Sequence, residues 1–370
     1  MAKEAKKSYL HFRPFLWVNY VFIVLLLLGN MTPYVAPDIF WPFVLLSFSM
    51  PVIVLVNILF FLMWLVLLNR YVYYSLLALI LSYSIILNHV QFHFSDDKQV
   101  NETALRLLSY NVRNLSNNNI HRSNKEIRAQ IQGFVTAQKA DIVCFQEFQT
   151  YPKQHINTLN SFKEGLHLPY SHSAPYLKKN KFDFLDLFAL FSDVPIENSH
   201  DFYMDGKCYG FYVDVRLDGM MTRVFNLHLE SNHFNQLDYQ IFTESENTFN
   251  EKNRNHIVWL LQKLKKYGVK RSYQARTIRK EIEKSPYPVI VAGDFNDTPA
   301  SYTYNHIANK LKDAFIEKGL GYGNTYNGSL PPMRIDYMLF DRKFEVLGFE
   351  TLKPDLSDHF PQITQFSIQK

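Results

Sequence analysis

The feature that most constrains this chain is its N-terminal region, up to about residue 94, which is built mainly from apolar and aromatic side chains. Within this region, residues 39–68 run without a single charged side chain. A helix needs about 20 consecutive apolar residues to cross the hydrocarbon core of a bilayer. So long an uncharged stretch is hard to place in a water-soluble domain, and the pattern therefore predicts membrane-spanning helices at the start of the chain.

Three apolar stretches in residues 1–94 predict three spans, at 14–30, 39–68 and 71–90. The second stretch contains two prolines, and we interpret it as one tilted or kinked helix because proline is tolerated in membrane helices. Two shorter segments are the alternative. The first stretch follows a basic start, as a signal peptide does. However, further spans follow it and no small-residue cleavage site stands out.

The distribution of positive charge predicts the orientation of these spans, because basic residues favour the cytoplasmic side. A basic cluster around Lys6 and Lys7 precedes the first span, whereas the loop at 31–38 carries only Asp38. With this start inside and three spans, the chain is an integral membrane protein. The part that follows the spans then lies outside the cytoplasm, on the periplasmic side in a bacterium. If residues 39–68 formed two spans, that part would face the cytoplasm.

Beyond a short polar linker at 95–103, residues 104–370 have the composition of a soluble protein and are numerous enough for one large domain. Apolar runs of strand length alternate there with amphipathic stretches. The clearest strands are predicted at 105–110, 141–146, 187–192, 210–216, 222–228, 288–293 and 335–340. Helical periodicity predicts helices at 123–138, at 254–267 and from about 273 to 284. This alternation predicts an α/β domain of sheets covered by helices.

Charge and cysteine content narrow the function only slightly. The net charge of +5 suits a protein that works beside anionic lipid as well as one that binds nucleic acid. Cys144 lies in an apolar run and Cys208 is isolated, so neither indicates a zinc site or a disulfide framework. The polar, basic segment 232–285 has two interpretations. It is either a solvated helical face or a basic surface that contacts lipid phosphates or a polyanionic substrate.

Several segments place a polar side chain at or just after the end of an apolar strand, where α/β folds build their sites. These side chains are Asn111, Glu147, His228, Asp294, Asn296, Asp336, Asp358 and His359. Carboxylates and carboxamides are hard oxygen ligands suited to Mg²⁺, Mn²⁺ or Ca²⁺. Histidines can transfer a proton or donate to a charged phosphoryl oxygen. Each residue alone would be an ordinary cap, turn or structural residue, but the ordered set predicts a site.

The motifs LSYNVRN, FQEF, NLHLES, AGDFNDTP, RIDYMLF and SDHFP follow one another across residues 104–370. In this order they resemble the endonuclease/exonuclease/phosphatase superfamily, which has the DNase-I-like fold. The resemblance implies a four-layer α/β sandwich of two packed mixed sheets flanked by helices, preceded here by the transmembrane helical block. It also implies a phosphoester hydrolase that depends on Mg²⁺ or Mn²⁺.

The resemblance further implies roles for the matched positions in metal and water binding. Asn111 and Glu147 would bind the divalent metal, with Glu147 as the principal ligand and Asp358 as a further candidate ligand. Asp294 would orient or deprotonate the attacking water. Asn296, beside it, would hold a phosphate oxygen. The metal would stabilise the phosphoryl oxygens as a Lewis acid.

The histidines and their partners receive the remaining roles that the resemblance implies. Asp358 would polarise His359, and His359 would contact the phosphoryl group or transfer a proton. His228 would assist the leaving group or the transition state. Asp336 would be a structural carboxylate or one that orients a histidine.

Family resemblance does not determine the substrate. Tethering by several spans, a short linker and an extracytoplasmic position favour a phosphodiesterase that acts on a lipid head group or another membrane-proximal phosphodiester. A membrane-tethered endonuclease or exonuclease is the alternative, because basic residues cluster between 263 and 280. A non-enzymatic scaffold is disfavoured, since every catalytic position is retained. No obligate protein partner is indicated by the sequence.

Overall fold

The computed structural model describes residues 2–93, 104–116, 124–150, 158–176, 185–234, 238, 251–328 and 330–369. The predicted linker at 95–103 lies outside the described residues. Helices form the chain as far as His89, and strands with covering helices form most of the remainder.

The element bounds agree with most of the periodic patterns in the sequence. The helices are α1 (Ala2–Gly29), α2 (Pro42–Val66), α3 (Val72–Leu81), α4 (Tyr83–His89), α5 (Asn124–Ala137), α6 (Thr158–Leu166), α7 (Glu251–Glu283), α8 (Tyr302–Ala308) and α9 (Ala314–Lys318). The strands are β1 (Gln91–Phe92), β2 (Leu105–Asn111), β3 (Ile142–Thr150), β4 (Tyr170–Pro175), β5 (Leu185–Ser192), β6 (Ile196–Met204), β7 (Lys207–Leu217), β8 (Met220–His228), β9 (Val289–Asp294), β10 (Lys312–Asp313), β11 (Leu320–Gly321), β12 (Asp336–Phe340), β13 (Phe344–Thr351) and β14 (Gln362–Ile368).

The N-terminal helices match the three predicted spans only in part. Helix α2 is long and apolar enough to cross a membrane, with a mean hydropathy of 2.5, and Pro51 lies inside it without ending it. Helices α3 and α4 reach that length and hydropathy only as a pair, and a bend of 67° separates them. The apolar part of α1, Arg13–Gly29, is shorter. Among the described residues, one helix could therefore span a membrane, or two if the bent pair is one span, which is fewer than predicted.

A buried polar network joins α1, α2 and α3. Trp64 Nε1 of α2 donates to Asn19 Oδ1 of α1 at 2.9 Å, and Asn19 Nδ2 donates to Ser75 Oγ of α3 at 3.1 Å. All three side chains are fully buried. Because buried polar groups need hydrogen-bond partners, these interhelical hydrogen bonds help to specify how the helices pack.

The remainder of the chain forms two packed sheets. Within the described residues, one six-stranded sheet has the order β13-β14-β2-β3-β5-β4 and the other has the order β10-β12-β9-β8-β7-β6. Strands β2 and β3 are parallel, as are β8 and β9, while the other neighbours are antiparallel. Both sheets are therefore mixed.

Helices cover the outer faces of the two sheets. Apolar residues of both sheets, such as Leu190 and Val224, form the core between them. Ile127 and Phe162 of α5 and α6 pack on the outer face of the first sheet, and Ile278 of α7 packs with α8 on that of the second. The arrangement of helices, sheet, sheet and helices is the four-layer α/β sandwich that the resemblance implies.

The helices predicted at 254–267 and 273–284 are a single helix, α7, of 33 residues. The prediction of two helices was wrong because one glycine, at position 268, does not by itself break a helix. Gly268 instead permits a close approach. A Cβ at this position would lie 2.7 Å from Val44 Cγ2 of α2.

The sandwich lies directly on the end of the helical bundle that carries residues 30–41. Thr32 Oγ1 donates to the carbonyl oxygen of Ala300 at 2.6 Å, and Thr298 Oγ1 donates to that of Ser47 at 3.1 Å. Strand β1, which follows the bundle, pairs with β11 of the sandwich. The bundle and the sandwich are thus joined by hydrogen bonds as well as by the chain itself.

Replacing Asp38 with Ala should destabilise this junction. Asp38 accepts two hydrogen bonds from the guanidinium of Arg276, at 3.1 and 3.0 Å, and one from Ser272 Oγ. Loss of this half-buried bidentate pair should cost about 1 kcal/mol and lower the melting temperature in detergent by a few degrees. Glu197→Ala, which removes a more exposed partner of Arg216, is the matched control and should change little. Equal melting temperatures for the two variants would contradict a supporting role of Asp38.

Candidate active site

The polar strand ends meet at one end of the two sheets. The parallel strands β2 and β3 bring Asn111 level with Gln146, the residue before Glu147. The parallel strands β8 and β9 place His228 opposite Asp294, and the antiparallel strand β12 places Asp336 on the other side of Asp294. Strand order and register, rather than sequence proximity, therefore assemble the candidate site.

Unusual backbone geometry accompanies these residues. Glu147 has a φ of 51°, at an irregularity in the pairing of β3 with β5 between Phe145 and Phe148. Bulges of this kind re-aim a side chain next to active sites. Gly293 has a φ of 144°, and a Cβ there would lie 2.0 Å from the carbonyl oxygen of Leu227. Only glycine therefore fits immediately before Asp294, which explains this glycine in the AGDFNDTP motif.

The fully buried carboxylate of Asp294 is the centre of the site. Its Oδ2 accepts from Asn111 Nδ2 at 3.1 Å and from Asn296 Nδ2 at 3.2 Å, and its Oδ1 accepts from the backbone N–H of Asn296 at 2.8 Å. His228 Nε2 lies 3.4 Å and His359 Nε2 lies 3.8 Å from Asp294 Oδ2. One carboxylate thus holds two amides and two imidazoles in a fixed relation.

Asn111 and His228 connect this centre to Glu147. Asn111 Nδ2 donates to Glu147 Oε1 at 3.1 Å, and His228 Nε2 lies 3.4 Å from the same oxygen. The side chain of Glu147 is 31% exposed, whereas that of Asp294 is 1% exposed. Glu147 is therefore the carboxylate of this group that solvent and substrate can reach.

The partner of His359 is Asp336, and the prediction that Asp358 polarises this histidine was wrong. His359 Nδ1 and Asp336 Oδ2 are 2.9 Å apart, and both side chains are buried. Asp358 instead faces Arg113, whose Nε lies 3.4 Å from Asp358 Oδ2. These two adjacent side chains therefore have different partners.

Burial and mutual attraction set the pKa values of the histidines. Burial lowers the pKa of His359, but the charges of Asp336 and Asp294 outweigh it and raise this pKa to about 10. Burial likewise lowers the pKa of His228, and the hydrogen bond with Asp294 reverses the shift, so its pKa is raised. Both imidazoles are therefore stabilised in their charged form.

The pKa values of the two buried carboxylates, Asp336 and Asp294, shift in opposite directions. Burial raises the pKa of Asp336 to about 6, and the neighbouring Asp294 adds to this. For Asp294, burial also acts to raise the pKa, but the two histidines outweigh it and lower the pKa. Asp294 thus stays ionised, while Asp336 and His359 share a tightly held proton.

The chemistry of the donor set fits a hard divalent cation. Asp294, Asp336 and His359 place ligand atoms within 4.8 Å of one another, but the close contact of His359 Nδ1 with Asp336 already holds a proton there. Glu147 offers carboxylate oxygens nearer to solvent, which hard cations such as Mg²⁺ prefer. Asn111 is 1% exposed, and its Oδ1 accepts from the backbone N–H of Arg113 at 3.0 Å. Glu147 therefore fits a metal better than the buried trio, and the predicted ligand role of Asn111 would require its amide oxygen to leave the N–H of Arg113. Asp358, the further predicted ligand, is engaged by Arg113.

A cleft of about 260 Å³ leads away from Glu147 and His228. Its walls combine apolar and aromatic side chains with polar groups; the main ones are Tyr176, Leu187, Phe188, Lys207, Tyr209, Glu230, His233 and Gln274. Such a mixture suits a ligand that carries both a phosphoryl group and a less polar part.

Seven of the predicted site residues come together: Asn111, Glu147, His228, Asp294, Asn296, Asp336 and His359. The sequence analysis missed residues that hold them in place. Thr325 Oγ1 accepts from the backbone N–H of Asp336, and the Tyr326 ring packs edge-on against His359. No local motif marks these two residues, because they reach the site through a loop.

Comparisons with known proteins identify the family of the sandwich. The model of the endonuclease/exonuclease/phosphatase family matches residues 108–359, and that of a domain of unknown function matches residues 12–89. No curated protein matches the chain.

Solved structures with the same fold share little sequence with this chain. A family protein from Leptotrichia buccalis C-1013-b is 15% identical with a TM-score of 0.50, and covers 72% of this chain and 100% of its own. One from Beutenbergia cavernae DSM 12333 is 16% identical with a TM-score of 0.51, covering 72% of each chain. One from Bacteroides vulgatus is 18% identical with a TM-score of 0.50, covering 72% of this chain and 99% of its own. Since the family model covers more than half of the residues, the chain belongs to the endonuclease/exonuclease/phosphatase family.

Proposed function

We propose that this chain is a membrane-anchored, divalent-metal-dependent phosphodiesterase whose substrate is a lipid head group or another membrane-proximal phosphodiester. The observation that carries the proposal is the group formed by Asn111, Glu147, His228, Asp294 and His359 at one end of the two sheets. Two cationic imidazoles and an ionised carboxylate suit phosphoester hydrolysis, because charge develops on the phosphoryl oxygens while water must be activated.

The chain's own residues divide this work. Asp294, held ionised, orients or deprotonates the attacking water. His228 and His359, held protonated, donate to phosphoryl oxygens or to the leaving group. Asp336 keeps His359 oriented and charged. A Mg²⁺ or Mn²⁺ ion held by Glu147 and Asn111 would supply further stabilisation of negative charge.

The surface of α2 supports membrane anchoring. Val52, Leu55 and Leu62 are 61%, 55% and 46% exposed, although each is strongly apolar. A helix with so much exposed apolar surface is unfavourable in water and favourable in lipid. Residues 30–41 and the end of α4, where the Asn88 carbonyl oxygen accepts from Arg334, contact the sandwich at the same end of the bundle. That placement is consistent with the extracytoplasmic position predicted from charge.

The nuclease alternative is less well supported. Several basic residues of α7 are neutralised within the protein: Arg271 Nε is 3.1 Å from Asp297 Oδ2, and Lys263 Nζ is 2.9 Å from Asp238 Oδ2. Residues engaged in this way are not available to track a nucleic-acid backbone, which needs an open basic groove.

The test uses the purified full chain, reconstituted in phospholipid vesicles with Mg²⁺, with Mn²⁺ or with EDTA. Phospholipids, DNA and RNA are offered side by side, with Asp294→Ala as the inactive control. Metal-dependent release of a lipid head group supports the proposal. Cleavage of nucleic acid alone would make the chain a tethered nuclease. Extraction of the chain from membranes by alkaline carbonate would rule out anchoring.

Glu147→Gln should weaken metal activation while leaving the fold intact. The amide keeps the size of the side chain but removes the charge that attracts a cation, so half-maximal activity should require at least about tenfold more Mg²⁺. A metal titration of activity, together with the melting temperature, measures this. Glu197→Gln, the same change at an exposed carboxylate on β6, controls for the loss of charge. An unchanged metal dependence in Glu147→Gln would remove Glu147 from the ligand set.

A further inference from the structure

The N-terminal half of helix α7 lies closer to α2 than its C-terminal half does. Arg276 pairs with Asp38, which precedes α2, at 3.0 Å. Two turns closer to the N-terminus of α7, Gly268 lies against Val44, in the first turn of α2. The contact moves from the loop before α2 onto the helix itself. The N-terminal half of α7, residues 251–267, is therefore directed toward the level at which α2 would enter a bilayer.

This half of α7 leaves apolar side chains exposed beyond its contact with α2. Val258 is 48% and Trp259 is 40% exposed. At 1.5 Å per residue, Val258 lies about 15 Å along the helix from Gly268. Tryptophan is enriched where a protein meets the boundary between lipid and water.

Several exposed positions beside these residues are basic. Arg254, Lys265 and Lys266 are exposed, and within the described part of the chain none of them has a carboxylate partner. No aspartate or glutamate occurs between Arg254 and Lys280 in the sequence. Long basic side chains can lay their carbon stems on apolar surface while their charges reach lipid phosphates.

We propose that residues 251–267 of α7 form an interfacial helix that rests on the anionic surface of the bilayer beside the bundle, an inference that rests on the membrane anchoring proposed above. Val258 and Trp259 would enter the head-group region, and Arg254, Lys265 and Lys266 would contact lipid phosphates. The contact of Gly268 with Val44 fixes α7 at the level of the first turn of α2. The proposed lipid-facing surface begins directly beside this contact.

The same helix borders the catalytic cleft on its other side. Gln274 Oε1 accepts from the backbone N–H of Glu230 at 2.9 Å, and Lys263 Nζ donates to the carbonyl oxygen of His233 at 2.7 Å. Glu230, His233 and Gln274 all line the cleft. Helix α7 thus contacts the walls of the cleft on one side and, in this proposal, the lipid surface on the other.

A water-sensitive fluorophore at Val258→Cys in the full chain tests the lipid contact directly. The native Cys144 and Cys208 are fully buried, so labelling is selective. In vesicles that contain phosphatidylglycerol, the label should emit at shorter wavelength and be quenched by spin-labelled lipids. Quenching should be weaker in phosphatidylcholine alone. If Val258→Cys does not fold, the exposed Gln262→Cys replaces it.

Arg216→Cys is the matched control, because Arg216 is exposed and lies at the end of β7 away from His228. Its label should remain in water in both kinds of vesicle. The same aqueous emission and absence of quenching at position 258 would overturn the proposal. This readout requires no hydrolysis, so it separates failure of the interfacial helix from failure of the proposed enzymatic function.

The double substitution Lys265→Glu/Lys266→Glu tests the role of charge. With phosphatidylglycerol-containing vesicles, the apparent KM for lipid should rise about tenfold or more, since each basic side chain at an anionic surface contributes a factor of about five. The kcat should not change. Arg342→Glu/Lys343→Glu, at the sheet end away from the site, should leave KM unaltered. Equal KM values for the two double variants would contradict electrostatic contact with the bilayer.

Discussion

Asp294→Asn should reduce kcat by at least about a thousandfold while leaving the protein folded. The carboxylate accepts from both Asn111 and Asn296 and lies 3.4 Å from His228 Nε2. An amide of the same size cannot deprotonate water, and it removes the charge that keeps the histidines protonated. A general base and an electrostatic anchor each contribute about a hundredfold or more, so their joint loss should be large.

Single-turnover rates at saturating metal, compared with the melting temperature, measure this effect. Asp341→Asn is the matched control, because Asp341 follows the other end of β12 and its side chain accepts only from the backbone N–H of Lys343 among the described contacts. Its kcat should equal that of the native chain. A loss smaller than about tenfold in Asp294→Asn would mean that another group activates the water.

Much of this site could be predicted from the sequence because its signals are local. An apolar run followed by a polar residue marks each of Asn111, His228 and Asp294 as the end of a strand. Parallel neighbours then bring such ends to one edge of a sheet. Helical periodicity likewise predicted the covering helix α5 to within one residue at each end.

The sequence did not show which histidine Asp336 orients, because this contact depends on strand register. Asp336 precedes His359 by 23 residues and reaches it only through the pairing of β12 with β9. Asp358 is the neighbour in sequence, but it contacts Arg113. Proximity along the chain favoured the wrong carboxylate.

The burial of polar residues between the sheets was also not predicted from the sequence. Gln146 Nε2 donates to Asn226 Oδ1 at 2.7 Å, and Asn226 Nδ2 donates to the carbonyl oxygens of Phe145 and Ala189. Each residue interrupts an otherwise apolar strand, which normally indicates exposure. The hydrogen bonds offset the cost of burying them, and they tie the two sheets together directly beneath Glu147.

The junction between the bundle and the sandwich was unforeseen for a different reason. Thr298 and Ala300 directly follow the AGDFND segment, and both bond to residues of the bundle. Neither side of such a contact carries a periodic or compositional signal. The N-terminal helices thus support the segment that carries Asp294 and Asn296.

His359→Ala should reduce kcat by at least about a hundredfold, the usual scale for a positioned proton-transfer group. His359 lies between two carboxylates, with Nδ1 at 2.9 Å from Asp336 Oδ2 and Nε2 at 3.8 Å from Asp294 Oδ2. Its protonated form can donate to a phosphoryl oxygen, and alanine cannot. A rate near that of the native chain would mean that the site has been misassigned.

Asp336→Asn tests whether the positive charge of His359 matters for the reaction, because this variant keeps the histidine but weakens its protonation. The charges of Asp336 and Asp294 raise the pKa of His359 to about 10, so the native histidine should stay protonated until the pH rises through that value. Without the Asp336 charge this pKa falls, since burial opposes protonation. The alkaline loss of kcat should therefore move to lower pH by about one unit or more. His359→Ala should lack this limb of the pH profile. An unshifted alkaline limb in Asp336→Asn would show that the charge on His359 does not limit the reaction, leaving Asp336 a purely structural role.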